Sequence, residues 1–334
     1  MSIEEIRTLL PLADDKPDDL LIVCTSFEER CWKSLLIAEK YKAEYVIVIN
    51  YDAKEQWVAQ RRAVQRLRDN AARVAEAAKK CARKGVIPIR CLRRDPLDGY
   101  AKLADALTEI GVRSRTHPRI TLDVSVLTKS YLLVLLKALE SVNGAWKRVV
   151  YSEPAAYYPD RLTVGVSSIS YVPLFCGRTT SLKPDLLVAF LGFEGERAFA
   201  IWEHYEADHT IALVGSPGYR PRYPGTSRDL NRSLLGEYGV ESQEVPTRDP
   251  DMVATTLKDI WRRFPDHNLL LAPLGTKLQA LGLYLFLRDN PECGGQVVYA
   301  TPAAYYANYY AKGSGKVYQK TISLPQGASG SPQP

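Results

Sequence analysis

Apolar runs of strand length recur along the chain. Each is followed by a stretch in which apolar positions fall three or four apart. The first half opens with DLLIVCTSFEERCWKSLLIAEKY from Asp19, and the second with DLLVAFLGFEGERAFAIWEHYE from Asp185. Both read as a strand, a Phe-Glu turn and an amphipathic helix. Second runs follow at Tyr45–Asn50 and His209–Gly215, and third strands are predicted at GVIPIRCL and VESQEV. Fourth strands are predicted at Arg119–Ser125 and Asn268–Leu274, and fifth strands at RVVYSEPAAYY and QVVYATPAAYY. Strands apolar throughout, alternating with helices, predict parallel sheets covered on both faces.

Short motifs recur in the same order. Glu28 matches Glu194, and Arg30 matches Arg197 after a one-residue insertion. Arg94-Asp95-Pro96 matches Arg248-Asp249-Pro250, an Asp N-cap with Pro in the first helical turn. Thr128-Lys129 matches Thr276-Lys277, and each Lys precedes the Pro of PAAYY by 25 residues. Five identical residues at one fixed offset are rarer than about one in a million by chance. The expected fold is therefore α/β, two tandem Rossmann-like parallel-sheet halves related by internal duplication. The halves are expected at 1–168 and 185–323, with a linker at 169–184 and a disordered tail at 324–334. A further strand is expected between the first PAAYY and Asp185.

Every shared motif falls at the carboxyl end of a predicted strand, where doubly wound sheets bind ligands. Thr128-Lys129 and Thr276-Lys277 each open a helix, an arrangement suited to an anion. The alternative is a capping Thr followed by a solvent-exposed Lys. Glu28 with Arg30 and Glu194 with Arg197 read either as a rim salt-bridge network, in which Asp95 and Asp249 could share, or as phosphate-binding arginines oriented by carboxylates. One tyrosine of each pair, Tyr157 or Tyr305, is a candidate for stacking on a base. Asp123 stands where the second half has Leu271, so if one half has chemistry the other lacks, Asp123, Ser125 and Lys129 mark the first half. Glu28, Asp123 and Lys129 are the candidate catalytic groups if one rim is an enzyme site. The second half alone carries Gly215–Asn231, whose Arg220, Arg222 and Arg228 mark it as a candidate ligand cover.

Charge adds one surface. Lys54–Lys84 holds ten Lys/Arg against three acids. It reads either as a solvated helix with a basic face or, through Arg61, Arg62, Arg66, Arg68 and Arg73, as a surface for nucleic acid. The six cysteines show no C-x-x-C pair and read as reduced thiols of a cytoplasmic protein. No P-loop, G-x-G-x-x-G, nucleophile elbow or His-rich metal set is present, so neither cofactor nor metal is expected. No apolar run reaches the roughly 20 residues of a membrane helix.

The fourth-strand motif, LDVSVLTK in one half and LAPLGTK in the other, resembles the CRISPR-associated Rossmann-fold (CARF) superfamily. Asp123, Ser125, Thr128 and Lys129 match its pattern, as do Gly275, Thr276 and Lys277. The tandem pair is similar to the fused sensors called SAVED in bacterial antiviral systems. The resemblance implies a cytoplasmic sensing module that binds a nucleotide or cyclic oligonucleotide across paired rims and acts through a separate effector protein. Two other readings stand beside it. One is an enzyme on a nucleotide or nucleic acid, and the other is a structural subunit docking nucleic acid or a protein through residues 54–84.

Overall fold

The computed structural model of the chain describes residues 3–13, 16–52, 61–158, 162–307 and 310–322. In chain order the elements are β1 (Glu4–Ile6), β2 (Asp18–Cys24), α1 (Lys33–Leu36), β3 (Ala43–Tyr51), α2 (Arg61–Cys81), β4 (Ala82–Cys91), α3 (Pro96–Glu109), β5 (Arg119–Asp123), α4 (Lys129–Glu140), β6 (Trp146–Ser152) and β7 (Ala156–Tyr157). They continue with β8 (Thr163–Tyr171), β9 (Asp185–Leu191), α5 (Gly195–Tyr205), β10 (His209–Gly215), α6 (Tyr223–Leu230), β11 (Glu241–Val245), α7 (Pro250–Arg263), β12 (Asn268–Pro273), α8 (Lys277–Asp289), β13 (Gln296–Tyr305), β14 (Ala311–Lys312) and β15 (Val317–Ile322).

The two main sheets run β1-β15-β6-β5-β2-β3-β4 and β11-β10-β9-β12-β13-β8. Leaving out β1, they share one strand order, and strands β2 to β6 and β9 to β13 are parallel within their sheets. This is the doubly wound order, with its reversal between β2 and β5 and between β9 and β12. The mixed α/β architecture of two Rossmann-like halves is therefore present. The helix starts follow the sequence signals. Asp95 accepts hydrogen bonds from the amides of Leu97 and Asp98, and Asp249 from those of Asp251 and Met252.

Each sheet takes one strand from the other half, β15 in the first, inside β1, and β8 at the edge of the second. After β6 the chain crosses over, and β8 pairs antiparallel with β13 of the second sheet. After β13 it crosses back, and β15 pairs antiparallel with β6 of the first. At the crossing β7 and β14 form a two-stranded ribbon, Ala156 opposite Lys312 and Tyr157 opposite Ala311. Thus the expected division at 168 and 185 does not divide the sheets, because residues 163–171 belong to the second. The strand expected between PAAYY and Asp185 is β8.

The halves also meet through helices. α4 packs on α8, and the Tyr284 hydroxyl donates to Glu140 across that contact, at 3.0 Å. This explains why VLTKSYLLVLLKAL is apolar nearly all round, since α4 is buried on both sides. Among the described residues, no helix is long and apolar enough to cross a membrane. All six cysteines are free thiols.

The exchange yields a test. β15 buries Val317, Tyr318 and Ile322 on the first sheet. At about 1.5–3 kcal/mol each, ending the chain after Gly315 removes about 5 kcal/mol or more. Thermal melting should show Tm falling by roughly 10 °C, with aggregation at the bared edge of β6. An unchanged Tm would show that the exchanged strand contributes nothing.

Candidate functional site

Glu28 and Glu194 each close the turn after the first strand of their half, and each is ion-paired to the nearby arginine. Arg30 is 0% exposed and Arg197 2%. Arg30 donates from Nε to Glu28 Oε2 at 2.9 Å and from Nη1 to the Ser152 carbonyl at 2.9 Å. Arg197 donates from Nη1 to Glu194 Oε2 at 2.7 Å and from Nε to the Ala300 carbonyl at 2.7 Å. Ser152 and Ala300 occupy the same place before PAAYY. The neighbouring rings, Tyr151 and Tyr299, lie under the two guanidinium groups at 5.7 and 4.7 Å. The motifs Phe-Glu, Arg and PAAYY are thus parts of one buried unit, built twice. In both arginines Nη2 is buried without a hydrogen bond of acceptable geometry to a described residue.

This is the salt-bridge reading of Glu28, Arg30, Glu194 and Arg197, with one correction. Asp95 and Asp249 take no part, because both are spent capping α3 and α7. Thr128 and Thr276 likewise cap their helices, Thr276 in a capping box with Gln279.

The lysines behave otherwise. Neither Lys129 nor Lys277 is the solvent-exposed residue of the capping alternative; both are half-buried. Each reaches the other half. Lys129 donates to the Leu274 carbonyl at 2.9 Å and lies in the field of Glu194 and Arg197. Lys277 lies in the field of Arg30 and Glu28 and makes no hydrogen bond to a described residue. Burial pulls the Lys129 ammonium down to about 8, with Glu194 opposing and Arg197 assisting. Burial also drives Lys277 well below the ordinary lysine range, with Arg30 adding to the push. Burial raises Glu194, but Arg197 and Lys129 outweigh it and hold the carboxyl below its usual range.

Both lysines line one cavity of about 90 Å³ at the carboxyl ends of β9, β10 and β12. Its floor is Gly192, Gly215 and Gly275, and its cover is aromatic: Tyr157, Tyr219, Tyr223 and Tyr310. Tyr157 comes from the first half and meets Phe193 edge-on at 6.1 Å. The Tyr157 amide donates to the Tyr223 hydroxyl at 3.1 Å. Tyr305 lies over Arg93 at 4.3 Å, beside a second cleft of about 150 Å³ that Asp95 and Thr128 also line. A larger cleft of about 760 Å³ lies at the opposite end, beside the carboxyl-terminal turns of α4, α7 and α8. Helix dipoles disfavour anions there.

Several expectations are corrected. Asp123 is buried beneath the rim, where Ser34 and Ser125 donate to it through their hydroxyls and Ser125 also through its amide at 2.8 Å. Burial raises its carboxyl above the usual range. Ser125 in turn accepts from the Ser152 amide at 2.8 Å. Neither residue lines a described cavity, so Asp123 is not placed as a base. Glu28 is likewise occupied by Arg30. Gly215–Asn231 covers the cavity as expected, but with Tyr219 and Tyr223 instead of arginines. Arg220 donates to the Ala155 carbonyl, Arg228 pairs with Glu244, and Arg222 is exposed. On α2, Arg66 turns inward to the Ala307 carbonyl at 2.7 Å, and Arg73 lies over Trp32 at 5.5 Å. Arg68 is exposed, and the side chains of Arg61 and Arg62 lie outside the described residues, as does Lys54. Among the described residues no group of three His, Cys, Asp or Glu could hold a metal ion.

Three participants escaped the motif reading: Arg93, Gln279 and Tyr310. Gln279 was legible as the last residue of a Thr-x-x-Gln capping box, and Arg93 as the unmatched residue before Arg-Asp-Pro. Tyr310 follows PAAYY without a local signal.

No protein-family model matches the chain, and none of the curated proteins does. Among solved structures it is similar to a universal stress protein from Archaeoglobus fulgidus, 12% identical over 86% of this chain and 97% of that one, TM-score 0.23. It is also similar to a periplasmic ribose ABC transporter structure from Conexibacter woesei, 17% identical over 74% and 68%, TM-score 0.23. An N-terminal ketoreductase from a macrolactin assembly line is 9% identical over 81% and 62%, TM-score 0.22. Scores this low carry no argument about function.

Two tests follow from the charges. Glu194→Gln strands Arg197 and should cost about 3–5 kcal/mol, measured by urea unfolding; a change within error would mean the pair is dispensable. Lys129 titrates near 8 when folded and at 10.5 when unfolded. Between those values the unfolded chain binds more protons, so stability rises with pH through that window. Below about 8 the full cost of the buried charge is present. Lys129→Met should therefore remove part of the rise in Tm from pH 8 to pH 10. Parallel pH profiles for the two proteins would show that Lys129 titrates normally.

Proposed function

We propose that the chain is a binding module for a phosphate-bearing ligand of the nucleotide class, held between its two halves at the strand ends. One observation carries this reading. Lys129 and Lys277, from opposite halves, converge on one rim cavity, where they and the neighbouring Arg30 and Arg197 face two carboxylates, Glu28 and Glu194. Burial disfavours the charged form of both lysines, and an entering anion favours it. The aromatic cover offers faces on which a base can stack.

The resemblance to paired sensors extends the proposal to a cyclic oligonucleotide as ligand, a separate effector protein as partner, and a role in prokaryotic antiviral defence. Size bears on how such a ligand enters. Nucleotide-sized pockets span roughly 300–1,000 Å³, whereas this cavity measures about 90 Å³. It accommodates a phosphate group as it stands, and a nucleoside enters only if the tyrosine cover moves.

The test is a thermal-shift series with linear and cyclic nucleotides on the wild type and on the Lys129→Ala/Lys277→Ala variant. A ligand at 100 times its Kd adds about 2.7 kcal/mol, a rise on the order of 5 °C. The rise should vanish in the double variant. No rise with any nucleotide, or an equal rise in both proteins, defeats the proposal. Nucleic-acid binding that survives the double variant and falls steeply with salt would assign function to the exposed face of α2 instead.

A further inference from the structure

The two rims share motifs, but the crevices at the reversal points of their sheets differ. At the reversal point of the first sheet the crevice is filled by side chains. Tyr51 ends β3 and is buried, its ring edge-on to Tyr131 at 5.0 Å, with Arg93 over it at 5.1 Å. The Tyr51 hydroxyl accepts the Thr128 amide at 3.4 Å. In the second half the aligned positions are smaller: Gly215 for Tyr51, Thr247 for Arg93, and Gln279 for Tyr131. These three line the cavity that both lysines enter.

The second crevice also holds an unmet donor. Gln279 is 1% exposed, and its Oε1 accepts the Thr276 amide at 2.8 Å. Its Nε2 is buried in the cavity wall without a hydrogen-bond partner among the described residues. A buried amide nitrogen left without an acceptor is destabilising, so an acceptor belongs there. It sits on the first turn of α8, a thirteen-residue helix whose dipole favours negative charge at that end. Gly215 keeps the seat open, since a Cβ there would stand 2.6 Å from Thr247 Cγ2.

We propose that the chain binds one ligand, not two, with a single phosphate group seated in the second half against Gln279 Nε2, Lys277 and Lys129. The first rim keeps the shared motifs for structure: its Glu28–Arg30 pair, its capped helices and its plugged crevice. This rests on the binding reading above and adds which rim is used, how many ligands bind, and that the ligand presents one phosphate end-on. A mononucleotide meets that description.

The test is calorimetric titration with 5′-AMP, and with inorganic phosphate, on the full chain. Gln279→Glu keeps the Oε1 that caps α8 and replaces the donor with a negative oxygen. The expected result is one AMP per chain. Affinity should fall roughly tenfold to a hundredfold in Gln279→Glu, while the ligand-free Tm stays level or rises as the new carboxylate pairs with the lysines. Gly215→Ala, which narrows the same seat, should weaken AMP as well. Two AMP per chain, or one whose affinity neither variant changes, overturns the one-sided seat while leaving nucleotide binding intact. If neither AMP nor phosphate binds the wild type but a larger cyclic nucleotide does, the single-phosphate seat falls and the binding reading stands. If no nucleotide binds at all, both fall.

Discussion

Each main sheet of this chain borrows one strand from the opposite half, and that constraint organises everything else. β6 and β13 are flanked by strands that arrive from the opposite half, so neither sheet is complete alone. The crossing chain must pass over both rims to make the exchange. It carries PAAYY with it and lays Tyr157 against Phe193 of the second half. Tyr305 lies over Arg93 of the first in the same way. The side chains on the two rims therefore face each other instead of solvent, and Lys129 and Lys277 project into the neighbouring half.

Facing rims concentrate charge where water is scarce. Two Glu–Arg pairs meet the requirement in part, each anchored to a fifth-strand carbonyl and resting on a tyrosine ring. The lysines are left over, one satisfied by the Leu274 carbonyl and one not. Buried ion pairs contribute little net stability against well-packed apolar residues. Their presence in both halves is better understood as positioning, since they hold the strand-end turns and the crossing chain in register.

Local chemistry made much of this legible in the sequence. Asp95-Pro96 and Asp249-Pro250 announce helix starts because the Asp side chain reaches amides two and three residues on, with no help from distant chain. The apolar runs of the five parallel strands need no partner to be recognised. What could not be read depends on tertiary placement. The alternation in TVGVSSISY marks a strand, but nothing in it names β13 as its neighbour. Asp123 looks like a rim carboxylate until Ser34, eighty-nine positions away, is found donating to it. Lys129 and Lys277 look exposed after a capping Thr, and only the opposite half buries them. The arginines of Gly215–Asn231 drew attention by charge, whereas the tyrosines between them face the cavity.

The antiparallel pairing of β15 with β6 also bears on the order in which this molecule can assemble. β6 ends at Ser152, and its edge partner begins at Val317, with the whole second sheet lying between them in the chain. Contacts across such separations close late and slowly, because the loop entropy is lost before the pairing can offset it. The first sheet, though earlier in sequence, is completed only after β13 has been placed. Until then β6 offers an unpaired edge to any extended segment nearby. The topology thus makes the closing contact of the first sheet one that spans the entire second half of the chain.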